Sequence, residues 1–574
     1  MSESTGTNPV SFSTGTASRC TSASFVAGRP GLEAPARSEA ARLPGAVTPG
    51  ESQPIRAPRK RRQLAVGIAL LAAVAVVAVA WSGAGVSNAP VAFERELRIP
   101  PLLEPTTDSA GRKVFELRPQ KGTSELIAGK RTATWGFNGA HLGPTLRAQR
   151  GDLVQMRVVN GLSVETTVHW HGMHLPAKAD GGPHQPIMPR QTWSPSWRVD
   201  QPAATLWYHP HPHRATAEHV YRGLAGMFII DDPDAARLDL PRTYGVDDIP
   251  LIVQDKRFRA DGELWLSHGR VRPAPQLGDT VLVNGIHEPH LNISSSRVRL
   301  RLLNASQTRF YNYGFSDNRR FDLVATDGGL LAAPVRLQRI ELSPGERAEI
   351  VVQFTAGENV VLHSFKPDLG RFDSSDESLA GAQDAFAILE LRAADRLTRS
   401  PAMPSVLVVR PPPTAPAGRI RRIKLDDTTR IDGRRMDMGR VDHLVRVDTP
   451  EIWEVENTSG APHNFHVHGT QFDVLAVEGK PPPAALKGPK DTVVVRPKEK
   501  VRILTRFSAY PDPSAPYMFH CHILEHEDRG MMGQFVVVRP DQRAALQHER
   551  EHRPTTTGRR AHRAHGLGRA RRGF

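Results

Sequence analysis

Cysteine is nearly absent from this chain. Among 574 residues there are two, Cys20 and Cys521, which excludes a disulfide-stapled framework. Methionines number 11 and show no cluster, so a dedicated methionine-rich tract for soft metals is missing. Aromatic residues make up 6%, against 48 prolines and 47 glycines, a balance that favours a turn-rich β protein over a helical bundle. One apolar run is long enough to matter to a membrane, Leu64 to Trp81. Acids are outnumbered, 60 to 75, for a net charge of +15. That excess is not a nucleic-acid footprint. Residues 1–62 hold nine Lys/Arg against four acids and residues 541–574 hold nine against three, which leaves the middle near balance. No RNA- or DNA-binding motif occurs there, and nucleic acid is not expected as a partner. The length suggests about three domains of roughly 100–200 residues.

The two ends read as tails. Residues 1–62 are rich in Ser, Thr, Ala, Gly and Pro and are expected to be disordered. They end in Arg59-Lys60-Arg61-Arg62, followed by the apolar run within 63–89. A basic cluster before such a run keeps the N-terminus in the cytoplasm and sends the rest outside. Arg61-Arg62 also fits a twin-arginine export signal, although Gln63-Leu64-Ala65 matches it only loosely. Small residues between Ser82 and Ala89 offer a cleavage site, so a membrane anchor and a cleaved signal remain open alternatives. Either places the remainder of the chain outside the cytoplasm, in the cell envelope or secreted. The Arg/His-rich stretch 541–574 reads as a solvated, disordered extension.

Between the tails the pattern becomes short alternating runs broken by Gly, Pro and Asn, the signature of strands. A weak repeat is visible. Gly151–Asn160, Arg297–Asn304 and Glu451–Asn457 are alternating segments that each end in Asn, about 150 residues apart. Gly345–Val352 and Lys498–Leu504 form a second related set. The reading is an all-β protein of three consecutive related sandwiches at 90–235, 240–395 and 418–540. A linker at 396–417 contains Pro411-Pro412-Pro413.

Four histidine clusters carry the chemistry: His169-Trp170-His171, His209-Pro210-His211, His463-Asn464-Phe465-His466-Val467-His468, and His520-Cys521-His522 with His526 and Met531 beyond. On a strand, residues two apart share a face at about 6.6 Å. Each His-x-His pair therefore sets two imidazoles side by side. The pairs 169/171, 209/211, 466/468 and 520/522 give eight, enough for three metal ions in one cavity. Parity separates a second site. Cys521 lies between His520 and His522 and faces away from them, and His463, three residues before His466, also points the other way. Cys521, His463, His526 and Met531 make one thiolate, two imidazoles and a weak thioether, the ligand set of a blue-copper electron-transfer centre.

These motifs resemble those of the multicopper oxidase family of laccases, bilirubin oxidases, spore-coat oxidases and copper-efflux cuprous oxidases, over roughly residues 90–540. The resemblance implies three cupredoxin-like Greek-key β-sandwich domains and four copper ions, one type 1, one type 2 and two type 3. It implies type 1 ligands at His463, Cys521, His526 and Met531, and type 2 ligands at His169 and His466. The type 3 ligands would be His171, His209, His211, His468, His520 and His522. Asp180 and Glu527 match family positions linked to proton delivery, with hydrogen-bonded support of the histidines as the other reading. Asp180-Gly181-Gly182, Asp200–Thr205 and Gly223–Gly226 are similar to bacterial cuprous oxidases.

The implied partners are dioxygen and a small reductant. Cuprous oxidases carry Asp and Met just before the first type 1 histidine, where this chain has Ser459-Gly460-Ala461-Pro462. Met436 and Met438 are too few for a dedicated Cu(I) site and read as packing. The expectation is a laccase-like enzyme in which an open edge at His463 accepts electrons from phenols or aromatic amines. Cuprous or other metal-ion oxidation is the alternative. Some exported relatives have lost their copper ligands and act as cell-division scaffolds. That reading, like copper storage without turnover, fits poorly a chain that keeps Cys521 and ten histidines. A two-domain nitrite reductase would not need eight paired imidazoles. His174, His184, His213 and His219 read as surface or supporting residues.

Overall fold

The structure, a computed structural model, describes residues 91–266, 277–372, 380–410, 413 and 420–543. The apolar run 64–81 and the tail beyond 543 lie outside the described residues, as does most of the segment around Pro411. No helix among the described residues is long and apolar enough to cross a membrane.

The chain is built almost wholly of strands, as the alternating segments predict. Each expected strand forms: Leu153–Val159, Arg297–Asn304, Glu451–Asn457, Arg347–Gln353 and Lys500–Thr505. Arg297–Asn304 pairs antiparallel with Arg347–Gln353, and Glu451–Asn457 pairs antiparallel with Lys500–Thr505. Apart from the two-stranded hairpin Pro119–Ser124 with Thr132–Phe137, the strands assemble into three pairs of sheets. The first pair runs through Leu153–Val159 and Ala204–His209, and the second through Phe386–Thr398 and Asp248–Lys256. The third runs through Glu451–Asn457 and Tyr517–His520. Each pair closes over its own apolar core. These are three cupredoxin-like β-sandwiches. The short strand Arg95–Glu96 crosses to the second sandwich and pairs parallel with Pro289–His290.

The asparagines that end the repeat have one structural job. Asn160, Asn304 and Asn457 each accept a hydrogen bond at Oδ1 from the backbone N–H two residues on, at Leu162, Ser306 and Ser459 (2.9, 3.1 and 2.9 Å). Each also donates from Nδ2 to two carbonyls, which turns the chain back over the end of the sandwich. In the third sandwich that corner fixes the position of Ser459.

Buried ion pairs join the sandwiches. Arg301 and Arg299 of the second hold Glu349, which accepts a hydrogen bond from Thr205 of the first at 2.5 Å. Lys256 stands apart from these. Its Nζ donates to the Tyr221 carbonyl at 2.6 Å and lies 4.6 Å from the Tyr221 ring centre. Burial pushes this lysine from 10.5 down to about 7. Between those values the unfolded chain binds one more proton than the folded one, so this group makes stability rise with pH across that window. Lys256→Met is expected to flatten the gain in Tm between pH 7 and pH 10, measured by thermal unfolding. An unaltered slope would place the titration elsewhere.

Candidate metal centres

The histidine pairs lie on neighbouring strands in register. Strand His169–His171 pairs antiparallel with Ala204–His209, which sets His169 opposite His209. Strand His463–Val467 pairs with Tyr517–His520, which sets His466 opposite His520. Side chains alternate across these strands. Trp170 and Tyr208 enter the core of the first sandwich. Phe465, Val467, Tyr517, Phe519 and Cys521 enter the core of the third. The paired histidines take the opposite parity and meet between the first and third sandwiches. His169 stacks on His468 at 3.9 Å between ring centres, and His171 stacks on His466 at 3.8 Å. The Nε2 atoms of His211 and His468 lie 3.3 and 3.1 Å from that of His520. His522 closes the group, 4.9 Å from His171 and 5.3 Å from His209.

Two glycines make this convergence feasible. Gly181 has φ +78°, and a Cβ there would collide with the Val168 carbonyl. Gly172 has φ +83°, and a Cβ there would meet the Asp491 carboxylate and the Arg347 guanidinium. Both sit at turns that present the first cluster.

The smaller pocket lies inside the third sandwich. Cys521 Sγ is 3.5 Å from His463 Nδ1 and 3.6 Å from His526 Nδ1. Asn464 braces it, its Oδ1 3.6 Å from the sulfur and accepting the His522 N–H at 2.7 Å. Met531 is buried in the same core, and its backbone bonds to both Cys521 and His526. Burial pushes the Cys521 thiol up to about 12 and His463 down to about 3. A thiolate in so dry a place requires a cation beside it.

The larger cavity passes the same fit test. Nε2 of His169, His209 and His466, Nδ1 of His171 and both ring nitrogens of His522 are buried without a hydrogen-bond partner. A buried cavity lined with so many imidazole lone pairs that no protein donor reaches suits metal ions that take them up. Burial and the crowding of neighbouring imidazoles hold His171, His209, His211, His466, His468 and His522 well below their usual range, in the neutral form that binds metal. His520 is pushed to about 3 and His526 well below its ordinary value, chiefly by burial.

Both carboxylates singled out by sequence lie here. Asp180 Oδ2 accepts from His468 Nδ1 at 2.7 Å, and its backbone carbonyl accepts from His169 Nδ1 at 3.0 Å. Its second oxygen, Oδ1, is buried without a hydrogen bond and lies 3.5 Å from His169 Nδ1. Glu527 lies 3.3 Å from both His211 Nδ1 and His520 Nδ1. Burial, with Asp528 next to it, pushes its carboxyl well up.

Other residues of the site left no mark in the sequence. Asp491 accepts from His171 Nε2 at 3.0 Å through its side chain and from His466 Nδ1 at 2.8 Å through its carbonyl. Arg347, from the second sandwich, forks onto the same carboxylate with two 2.7 Å bonds. His171 is thereby left with Nδ1 facing the cavity, whereas His169, His209 and His466 offer Nε2. His174, His184, His213 and His219 are outside the groups that converge. His184 instead pairs with Gln534 at 2.7 Å and His219 with Thr166 at 3.1 Å. Met436 and Met438 are half-buried, and Met436 N–H donates to the Gly530 carbonyl next to Met531.

One expectation is overturned. The edge of His463 is closed: the residue is 0% exposed, and Ser459 Oγ lies 2.9 Å from its Nε2. The Asn457 corner folds Ser459 over the imidazole, a contact that the tetrapeptide Ser459–Pro462 does not disclose by itself.

Three cupredoxin sandwiches, a Cys/His/His pocket in the third and a many-imidazole cavity shared with the first define a copper-type redox protein. Comparison with known proteins agrees. Two multicopper oxidase family models match, one over residues 119–235 and the other over residues 410–541. "Multicopper oxidase mco" of Staphylococcus aureus is 39% identical over 450 residues, covering 78% of this chain and 93% of its own. "Cell division protein FtsP" of Xenorhabdus nematophila is 37% identical over 452 residues, covering 77% and 92%. The crystal structure of a laccase from Pediococcus acidilactici superposes with a TM-score of 0.70 at 34% identity, over 79% of this chain and 95% of that one. The chain belongs to the multicopper oxidase family and is an oxidoreductase that uses dioxygen.

Proposed function

We propose that the protein is a laccase-like oxidase that takes electrons one at a time from phenols or aromatic amines and reduces dioxygen to water. The observation that carries this reading is the juxtaposition in Cys521 itself. Its sulfur lies in the small pocket, while its two covalent neighbours, His520 and His522, reach into the large cavity. Copper held in the pocket would accept single electrons, and copper held in the cavity would deliver four of them to dioxygen. His463, Cys521, His526 and Met531 are the proposed type 1 ligands. His169 and His466 are the type 2 pair, and His171, His209, His211, His468, His520 and His522 are the type 3 set, for four copper ions in all.

The remaining work falls to side chains. Cys521 offers an electron only a few bonds to His520 or His522. Asp180 keeps His468 and His169 oriented, and its second oxygen, beside His169 Nδ1, makes no hydrogen bond. Glu527 sits where it can hold a proton between His211 and His520. Water formation consumes four protons in a cavity lined with neutral imidazoles, so both acids serve as the local relay. Arg347 and Asp491 fix the ring of His171 from outside.

Substrate choice is argued from what is missing. The Ser459–Pro462 stretch before His463 offers no methionine or acid to capture Cu(I), and the one carboxylate that acts on the His463 ring, Asp427, comes from elsewhere in the chain. The bacterial laccase-like oxidase of Ochrobactrum sp., described as active towards lignin model compounds, superposes with a TM-score of 0.70 at 36% identity, which supports the aromatic reading. A Campylobacter jejuni relative described as a metallo-oxidase also superposes, at 27% identity. Export, by anchor or cleaved signal, belongs to the same proposal. Oxygen uptake by the copper-loaded protein, with 2,6-dimethoxyphenol and Cu(I) compared under the same conditions, tests the choice. Faster uptake with the phenol is expected. Faster uptake with Cu(I) would make this a metal-ion oxidase.

Met531 supplies a further test. Met531→Leu is expected to leave the enzyme active and to raise the type 1 potential, since a weak thioether donor is lost. A lowered potential in a redox titration would remove Met531 from the ligand set.

A further inference from the structure

From the hydrogen bonding around His463 we infer that Ser459 is a specificity-determining residue, which withholds the His463 edge from phenolic oxygens and so favours donors that need no hydrogen bond there. The inference rests on the proposed function, because it concerns how electrons reach the same pocket.

The geometry leaves little freedom. His463 turns Nδ1 toward Cys521 Sγ at 3.5 Å. With Nδ1 given to a metal, the ring is neutral only if Nε2 carries the hydrogen. That N–H points at Ser459 Oγ, 2.9 Å away, and the hydroxyl oxygen accepts it. The same oxygen accepts the Ala461 N–H at 3.2 Å. Its one hydrogen goes to Asn457 Oδ1 at 2.8 Å, with the Ala461 carbonyl near at 3.1 Å. A hydroxyl has one donor and two lone pairs, so Ser459 is saturated. A phenolate or phenol oxygen arriving at this edge finds neither the imidazole N–H nor the serine oxygen free.

Ser459 is also held in place. Its own N–H donates to Asn457 Oδ1, the corner bond that Leu162 and Ser306 make in the other two sandwiches. Opening the His463 edge therefore means breaking several hydrogen bonds together. Of the other ligands of the small pocket, Cys521 and Met531 are fully buried and His526, at 5% exposed, is more open than His463, so Ser459 governs the His463 edge alone. Donors that transfer an electron across the surface, through van der Waals contact with the Ser459–Pro462 turn, meet no such barrier. A phenol that does react loses its electron to the pocket and its proton to water, without help from His463.

Two variants of the copper-loaded full chain test this. Ser459→Ala removes the acceptor and frees the His463 N–H. The ratio of kcat/KM for 2,6-dimethoxyphenol to that for ferrocyanide, a donor without a phenolic oxygen, is expected to rise about five- to tenfold, the worth of one hydrogen bond gained. The type 1 potential should rise as well, because an imidazole that loses its hydrogen-bond acceptor is a weaker donor. Ser459→Thr keeps the hydroxyl and is expected to restore both quantities toward the wild-type values. An unmoved ratio together with an unmoved potential in Ser459→Ala overturns the inference, as does a threonine variant that behaves like the alanine one. Failure of the underlying functional reading shows differently. The unsubstituted protein would then consume no oxygen with any donor, which overturns both.

Discussion

Cys521→Ser is expected to abolish oxygen uptake with every donor and to remove the blue colour, while the protein stays folded. The substitution is nearly isosteric at a site packed among Phe465, Phe519, Ile523 and Met531, so the third sandwich keeps its core. The chemistry does not survive. A hydroxyl does not become an alkoxide beside copper at neutral pH as a thiol becomes a thiolate, and it lacks the soft, covalent bond that gives the blue centre its colour. The large cavity keeps all its imidazoles, because His520 and His522 are untouched. Copper content should fall by about one ion per chain while the electron path is cut. Absorption, bound copper and uptake measured on one preparation separate these effects. Normal oxygen uptake in Cys521→Ser would mean that electrons reach the cavity without the small pocket.

Asp180→Asn is the second large effect. It is expected to slow oxygen reduction by about a hundredfold, within the range of a positioned proton donor, with copper content unchanged. The carboxylate makes one hydrogen bond, to His468, and its buried Oδ1 makes none, lying 3.5 Å from His169 Nδ1. An amide of the same shape retains an acceptor for His468 Nδ1 but carries no exchangeable acid. The loss should deepen as pH rises, since bulk protons then have to replace the local one. A variant that lost copper together with activity would show that Asp180 mainly holds His468 and His169 in place. Rates unchanged across pH would sink the relay.

Much of this was legible in the sequence because it is local. Period-two alternation placed His169 and His171 on one face and Trp170 on the other, and the same rule put Cys521 opposite its neighbours. The Asn-terminated repeat marked the three sandwiches. What the sequence hid is whatever depends on distant partners. Asp491 meets His171 across 320 positions and Arg347 across 144. Neither pair has a spacing to read, and an Asp before a run of valines looks like any strand start. The second sandwich contributes none of the twelve proposed ligands, yet through Arg347 it clamps the residue that sets the ring of His171. The closed edge of His463 is hidden for a related reason. The tetrapeptide Ser459–Pro462 shows only that a soft or anionic ligand is missing, and the Asn457 corner, whose geometry appears only on folding, turns the Ser459 hydroxyl onto His463.

The central claim is that four electrons, gathered singly, reduce one dioxygen to water. The most direct measurement is the stoichiometry of the copper-loaded protein, with oxidised donor counted against oxygen consumed and hydrogen peroxide assayed in the same cell. Four donors oxidised per dioxygen, without peroxide, is the result this account predicts. Two per dioxygen, with matching peroxide, would contradict it and mean that the cavity does not act as one four-electron site.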